Sequence, residues 1–312
     1  MNSVLDTAFY TVLNMSITAT FIGFLIIILR MIKHIPRQGV YSLWSLVLLR
    51  LILPFSVSSS ISLMNLTGSL IKKVVRVPAL NSGGINMSAT NVIGAADTYF
   101  PVTYKTEQLK TVFEIAAFVW LVGAVGAILA VAILYYLTSS ELRNAFLVKD
   151  NIYCSDMVQS PQLYGVFRQR IIIPKEYIDK EEQLQYVLLH EAVHVRRHDN
   201  LLRLIAIFTA CIHWFNPFVW IFMKLFIDDM ELTCDTKAVK PLSVEARKRY
   251  AKTLINVSSR QQLFMATAFG KTNVKVRVMN VLSYKKLSIF ALAATMIFLV
   301  VISAILLTNP VR

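Results

Sequence analysis

The chain has 312 residues, of which 56% are hydrophobic and 16% are charged, and its mean hydropathy is +0.58. Soluble domains carry about 25% charged residues, so this composition excludes an ordinary soluble protein and indicates that the lipid bilayer is part of the solvent. The formal net charge of +14 is typical of a membrane protein with cytoplasmic lysines and arginines. Because no basic stripe is interleaved with stacking aromatic residues, we predict no direct binding to nucleic acid.

Four apolar segments are predicted to be transmembrane helices, because each approaches the roughly 20 residues that cross the hydrocarbon core. The second segment contains Arg50, whose charge must be buried against protein or extend to the membrane surface, and we expect a buried structural arginine. In chain order the four segments are residues 10–32, 41–57, 112–137 and 287–307.

These helices place the segments between them on alternating sides of the membrane. A basic hairpin joins the first two helices, and the long segment before the fourth holds most of the basic residues, so both are predicted to be cytosolic and both termini extracellular. The resulting domains are 1–57 with helices 1 and 2, an extracellular loop at 58–111, helix 3 at 112–137, a cytosolic domain at 138–286, and helix 4 with a short extracellular tail at 287–312.

The segment 138–286 reads as an α+β unit inserted into a mainly α membrane protein. Residues 151–154 and 167–173 are candidate strands, the second of them β-branched and ended by a proline. A helix of period 3.6 follows from Leu184. A later apolar stretch, 201–226, is interrupted by Asn216-Pro217, which predicts two helices that pack on the membrane face or dip into it.

The predicted helix runs into His190-Glu191-Ala192-Val193-His194, an H-E-x-x-H pattern. Residues four apart lie on one face of a helix, so both imidazoles can bind one metal ion. Zn²⁺ in such a site activates a water molecule, and the carboxylate of Glu191 is the candidate general base. The alternative is an amphipathic helix with surface histidines.

A catalytic zinc site needs a third protein ligand. A downstream acidic cluster contains Glu231 and Asp235, which are four residues apart and can face the same side of a second helix. We predict that Glu231 binds the metal and that Asp235 accepts the free N–H of His190 and fixes its tautomer. The alternative is a solvated acidic helix end.

The remaining histidines and the cysteines receive structural interpretations. We expect His198 and Asp199 to form a surface pair and His213 to be a packed or hydrogen-bonded histidine. The cysteines have no spacing typical of disulfides or of a zinc site and are predicted to be reduced thiols: Cys154, Cys211 and Cys234.

Several blocks of sequence occur in a distinctive order. The H-E-x-x-H pattern is followed by Asp199, then by Trp214-Phe215-Asn216-Pro217, and then by Glu231-Leu232-Thr233-Cys234-Asp235. Together with Trp44, Arg50-Leu51 and Pro54 in the second apolar segment and with residues 165–174, this order resembles the BlaR1/MecR1 family of membrane metallopeptidases, peptidase family M56. The resemblance extends over nearly the whole chain.

The resemblance implies a gluzincin-type zinc domain on the cytosolic face of a bacterial cell membrane, embedded among four transmembrane helices. It also implies that the strand at 167–173 is an edge strand that binds peptide substrate by β-augmentation. The substrate-contacting residues would then be Arg170, Ile171 and Ile172.

The resemblance further implies a role in signalling. Family members sense a cell-wall antibiotic, cleave themselves between the zinc domain and the last span, and promote loss of a cytosolic transcriptional repressor, which induces a β-lactamase or related resistance gene. In this sequence the corresponding connector is about 257–273. Self-cleavage in cis or in trans and a homodimer are the candidate interactions of the chain with itself.

One departure from the family is evident. Full-length receptors carry an extracellular penicillin-binding domain after the fourth span, whereas this sequence ends at Arg312, so we expect a truncated or sensorless member whose stimulus arrives through a partner or through the loop 58–111. Two alternatives are a membrane quality-control protease similar to the M48 peptidases, which also use H-E-x-x-H and a glutamate, and a non-catalytic membrane signalling scaffold.

Overall fold

A computed structural model of the chain describes residues 2–32, 36–54, 107–142, 145–258 and 273–284, together with residues 297 and 301. The predicted loop 58–111, the connector 257–273 and the fourth transmembrane helix lie largely outside the described residues. The helices are α1 (Asn2–Met31), α2 (Arg37–Ile52), α3 (Glu107–Glu141), α4 (Glu181–Arg197), α5 (Asp199–Ile212), α6 (Pro217–Val239), α7 (Val244–Ser258) and α8 (Val274–Leu282). The strands are β1 (Phe146–Lys149), β2 (Ile152–Ser155), β3 (Gln162–Tyr164) and β4 (Arg170–Pro174).

The chain forms two compact units. The first contains the described residues up to 127 and the segment 209–222, and the second contains the described residues of 128–208 and 223–288. This mainly helical structure with one small sheet confirms the coarse fold prediction.

Two of the described helices are long and apolar enough to cross a membrane, Val4–Met31 with a mean hydropathy of 2.3 and Thr111–Ser140 with 2.6. The first helix covers residues 10–31 of the first predicted span, and the second covers the whole of the third. Only 11% of the apolar window in α3 is buried, so its large apolar side chains lie where lipid, and not water, is the favourable solvent. Helix α2 has 16 residues, fewer than the roughly 20 that a span needs, so the second span remains a prediction.

Buried polar side chains fix the packing of the first unit. Arg50 is 2% exposed, which confirms the predicted burial of this arginine. His213 is fully buried, and its Nε2 donates to the backbone carbonyl of Leu51 at 3.0 Å, so it is the hydrogen-bonded structural histidine that the sequence predicts.

The apolar stretch 201–226 forms two helices, as predicted, with the break between Ile212 and Pro217. Proline suits the first turn of a helix because its missing N–H would have no intrahelical partner there. The Asn216 side chain accepts from the N–H of Phe218 at 2.9 Å and donates to the hydroxyl of Ser16 at 2.8 Å. Segment 209–222 groups with the first unit.

Two glycines of α3 provide a test of this packing. A Cβ atom at Gly123 would overlap the indole ring of Trp214, which is held by a hydrogen bond to the backbone carbonyl of Trp120. A Cβ atom at Gly126 would meet none of the described residues within 4 Å. We expect Gly123→Ala to cost about 1–3 kcal/mol in thermal unfolding of the detergent-solubilised protein, because overpacking displaces the ring. Gly126→Ala is the matched control, since it gains the same helix propensity. Equal effects of the two variants would contradict this packing.

The sheet of the second unit has the strand order β1-β2-β4-β3. Strand β4 pairs with β2 in parallel and with β3 in antiparallel orientation, so both of its sides are hydrogen-bonded. The prediction that Arg170, Ile171 and Ile172 form an edge strand is therefore wrong. The buried isoleucines reflect an inner strand covered on both faces, and the edge beside it is β3.

Helix α4 lies between two layers of the second unit because it has two apolar faces. Leu184, Leu188 and Val195 pack against buried residues of β2 and β4, whereas Tyr186, Leu189 and Val193 pack against a cluster from α6, α7 and α8. The polar residues of the histidine motif lie at helix positions between these two apolar faces.

Candidate metal centre

The two motif histidines meet through their ε-nitrogens. His190 and His194 are four residues apart on α4, both are buried, and their Nε2 atoms are 3.1 Å apart. The helix period produces this convergence, as the sequence predicts for residues i and i+4.

The carboxylate of Glu231 on α6 faces both ε-nitrogens. Its Oε2 lies 3.5 Å from Nε2 of His190, and its Oε1 lies 3.5 Å from Nε2 of His194. The structure therefore brings the three predicted metal-binding residues to one point.

A buried network orients the ring of His190. Its Nδ1 lies 2.9 Å from the hydroxyl of Tyr250 and 3.2 Å from Oδ1 of Asp235, and that hydroxyl donates to the same carboxylate at 2.8 Å. Because the hydroxyl donates to the carboxylate, Nδ1 of His190 carries the proton in this network. The structure thus places Asp235 where it can fix the tautomer, with Tyr250, a residue that the sequence did not reveal, as its neighbour.

Asp199 performs the corresponding role for His194. Its Oδ2 lies 2.6 Å from Nδ1 of His194, and its side chain is fully buried. The predicted surface pair of His198 and Asp199 is therefore wrong, because only His198 of the two is exposed. His198 ends α4 in the left-handed region, with φ of 54°, and this turn directs the next residue back toward the histidines.

The arrangement fits a divalent cation. Both Nδ1 atoms face carboxylates, so in each ring the neutral tautomer leaves Nε2 without a proton. Two such nitrogens 3.1 Å apart and a carboxylate 3.5 Å from each form a set of acceptors that one divalent cation can bind together. Two imidazoles, one carboxylate and an open position are typical of catalytic zinc sites.

A second candidate ligand is the thiol of Cys234. The ligand atoms of His190, His194 and Cys234 lie within 4.8 Å of one another. However, the sulfur lies 3.6 Å from Nδ1 of His190, the orienting side of the ring, and the thiol donates to the backbone carbonyl of His190 at 3.4 Å. The ε-nitrogens face Glu231 instead, so the geometry favours the glutamate.

Electrostatics keep the acids of the site ionised. Burial alone would raise the pKa of Asp235, but the charge of Arg277 outweighs it and lowers that pKa to about 2. Burial also opposes ionisation of Glu231, yet the charge that His194 carries when it is protonated and the charge of Arg277 hold its pKa well below its usual range. Both groups are therefore carboxylates at neutral pH, the form that binds metal.

Glu191 and two arginines complete the surroundings. Glu191 is 8% exposed and follows His190 on α4. Arg203 pairs with Oε1 of Glu231, and Arg277 pairs with Oε2 at 3.3 Å. Neither arginine stands out in the sequence of so basic a chain, because only the tertiary fold brings them to the acids.

Asp199 offers a test of the orienting network. We expect Asp199→Asn to weaken zinc binding by about 10–100-fold, since loss of the carboxylate acceptor frees the ring and the tautomer of His194. Competition with a chromophoric chelator measures the affinity. Asp156→Asn, at an exposed position, should bind as the parent does. An unchanged affinity in the Asp199 variant would contradict its role.

Comparison with known proteins gives a consistent result. The model of the family described as BlaR1 peptidase M56 matches residues 10–281. The chain is 29% identical over 185 residues to the Regulatory protein BlaR1 of Bacillus licheniformis, which is 57% of this chain and 30% of that protein. It is 26% identical over 106 residues to the Methicillin resistance mecR1 protein of Staphylococcus aureus, which is 33% of this chain and 18% of that protein. The chain thus spans less than a third of the length of these relatives.

Proposed function

The chain belongs to the BlaR1 peptidase M56 family, and from that membership we propose that it is an integral-membrane zinc endopeptidase that transduces a cell-wall antibiotic signal. The observation that carries the proposal is the convergence of both motif ε-nitrogens on the carboxylate of Glu231. Each of the two rings is further oriented by a buried aspartate, which is the arrangement expected for a working metal site.

His190, His194 and Glu231 would hold the metal. A bound zinc ion supplies Lewis acidity, which makes water a stronger nucleophile and polarises the scissile carbonyl. The carboxylate of Glu191 accepts the proton of the attacking water and then delivers it to the leaving amine. The burial of Glu191 suits this exchange, because a carboxylate held away from bulk water keeps the proton within the site.

The regulatory part of the proposal rests on the family and on the relatives. One relative is named a regulatory protein and another a methicillin resistance protein. We extend this role to the present chain: self-cleavage in the connector 257–273 leads to removal of a cytosolic transcriptional repressor, and resistance genes are induced. The apolar, largely unburied surface of α3 supports a location in the membrane. That the chain crosses the membrane several times, with the zinc unit on the cytosolic side, is part of the proposal.

Cells that express a chain tagged at both ends test this proposal. We expect a cell-wall antibiotic to produce shortened fragments of the wild-type chain, followed by loss of the proposed cytosolic repressor. Neither event should occur with Glu191→Gln. Fragments that form equally in that variant would show that another protease cuts the chain.

A further inference from the structure

The guanidinium of Arg277 lies inside the candidate metal centre, although no step of the proposed hydrolysis uses it. Its Nε donates to Oδ2 of Asp235 at 2.7 Å and its Nη2 to Oδ1 at 2.8 Å, and its Nη1 lies 3.3 Å from Oε2 of Glu231. The same Nη2 lies 3.4 Å from Nε2 of His190. One side chain thus contacts the predicted third ligand, the acid that orients His190, and His190 itself.

The two carboxylates need such a partner. Glu231 and Asp235 are one turn apart on α6, where like charges repel each other. Asp235 is fully buried, and a buried charge is costly unless it is paired and hydrogen-bonded. The planar fork of an arginine satisfies both oxygens of Asp235 at once and still reaches Glu231, which the single ammonium of a lysine cannot do.

Helix α8 holds Arg277 in place through contacts that do not involve the metal centre. Val281 is fully buried in the cluster shared with α6 and α7. The amide of Asn280 donates to the backbone carbonyl of Leu232 and to the hydroxyl of Thr236, both at 3.0 Å. The side chain of Asn273 caps the N-terminus of α8 by accepting from the N–H of Lys275 at 3.0 Å. These contacts dock the helix even when the arginine is replaced.

We propose that Arg277 is a positioning residue of the metal centre, which holds the carboxylate of Glu231 toward the ε-nitrogens and the carboxylate of Asp235 against His190. This inference rests on the proposed function, because it assigns a role within the same site. Arg277 follows the connector in sequence, so the site is completed by a side chain from beyond the segment that the proposed self-cleavage would cut.

Zinc affinity tests the inference without reference to catalysis. The full-length protein is purified in detergent on the Glu191→Gln background, so that self-cleavage cannot alter the sample, and zinc binding is measured by chelator competition. We expect Arg277→Ala to weaken zinc binding by about 10–100-fold, the range found when residues that orient metal ligands are removed. Arg277→Lys keeps the charge but lacks the fork, so it should restore only part of the affinity.

Two controls distinguish a role of Arg277 in positioning the metal ligands from a role in docking α8. Lys275→Ala removes a positive charge from an exposed position of the same helix and should leave zinc affinity unchanged. Asn280→Ala loosens the docking of α8 without touching the site. Added ethylguanidinium should recover zinc affinity in Arg277→Ala by occupying the vacated space, and it should have no effect in Asn280→Ala.

The possible outcomes are distinguishable. If the Glu191→Gln parent binds no zinc, the proposed function fails and the inference with it. If the parent binds zinc and Arg277→Ala binds it equally well, the inference alone is overturned. If Asn280→Ala weakens binding as much as Arg277→Ala and ethylguanidinium restores neither, Arg277 merely docks α8, which also overturns the inference.

Discussion

Replacement of Glu191 by glutamine is expected to slow self-cleavage of the purified chain by about 10²–10⁴-fold, the usual contribution of a general base. Glutamine keeps the size and the hydrogen-bonding reach of the side chain but cannot accept a proton at neutral pH. Zinc binding should persist, because Glu191 is not one of the three proposed metal ligands. The measurement is the decay of the full-length band in a bilayer nanodisc, together with metal analysis of the same sample.

Glu181→Gln is the matched control for this experiment. It makes the same chemical change in the same helix, at an exposed position in the first turn, and should leave the rate unchanged. If the Glu191 variant cleaves at the parental rate while it holds one zinc, the base is another residue and the assigned chemistry is incorrect. If the Glu191 variant loses zinc, its slower cleavage reflects loss of the metal, and Glu191 contributes to zinc binding.

Helix periodicity made part of this site predictable from the sequence. Both histidines, and likewise Glu231 and Asp235, are related by a spacing of four residues, which specifies a common face before any tertiary contact is known. The positions that periodicity placed correctly all lie within two helices. The break in the apolar stretch at Asn216-Pro217 was likewise predictable from the sequence, because proline ends a helix for purely local reasons.

The wrong predictions and the missed residues depend on tertiary geometry, which a local sequence pattern does not contain. Asp199 reaches His194 only because His198 adopts a left-handed conformation, which few non-glycine residues adopt. Strand β3 has three residues, too few to show an alternating pattern, so the sequence gives no sign that β4 is paired on both sides, and the edge strand implied by the resemblance went uncorrected. Arg277 lies 42 residues beyond Asp235 in sequence, and nothing in the surrounding residues marks it among the other basic side chains.

The choice between Glu231 and Cys234 as third ligand leads to the second large effect. We expect Glu231→Ala to lose zinc to a greater extent than the roughly 10–100-fold expected for an orienting residue, because the variant removes a coordinating atom. Cys234→Ser should retain one zinc per chain, since the thiol lies on the Nδ1 side of His190. Metal analysis after gel filtration at a fixed, low zinc concentration distinguishes the two.

Stability measurements on the metal-free proteins make this comparison decisive. Glu231→Ala leaves Arg203 and Arg277 without one of their carboxylate partners, so some loss of stability is expected whether or not the glutamate binds metal. Zinc, however, stabilises a folded state by a free energy that grows with the logarithm of its affinity. Added zinc should therefore raise the unfolding temperature of Cys234→Ser as it does that of the parent, and should leave that of Glu231→Ala unchanged. The reverse pattern would assign the metal to the two histidines and the cysteine, and the role of Glu231 as third ligand would have to be abandoned.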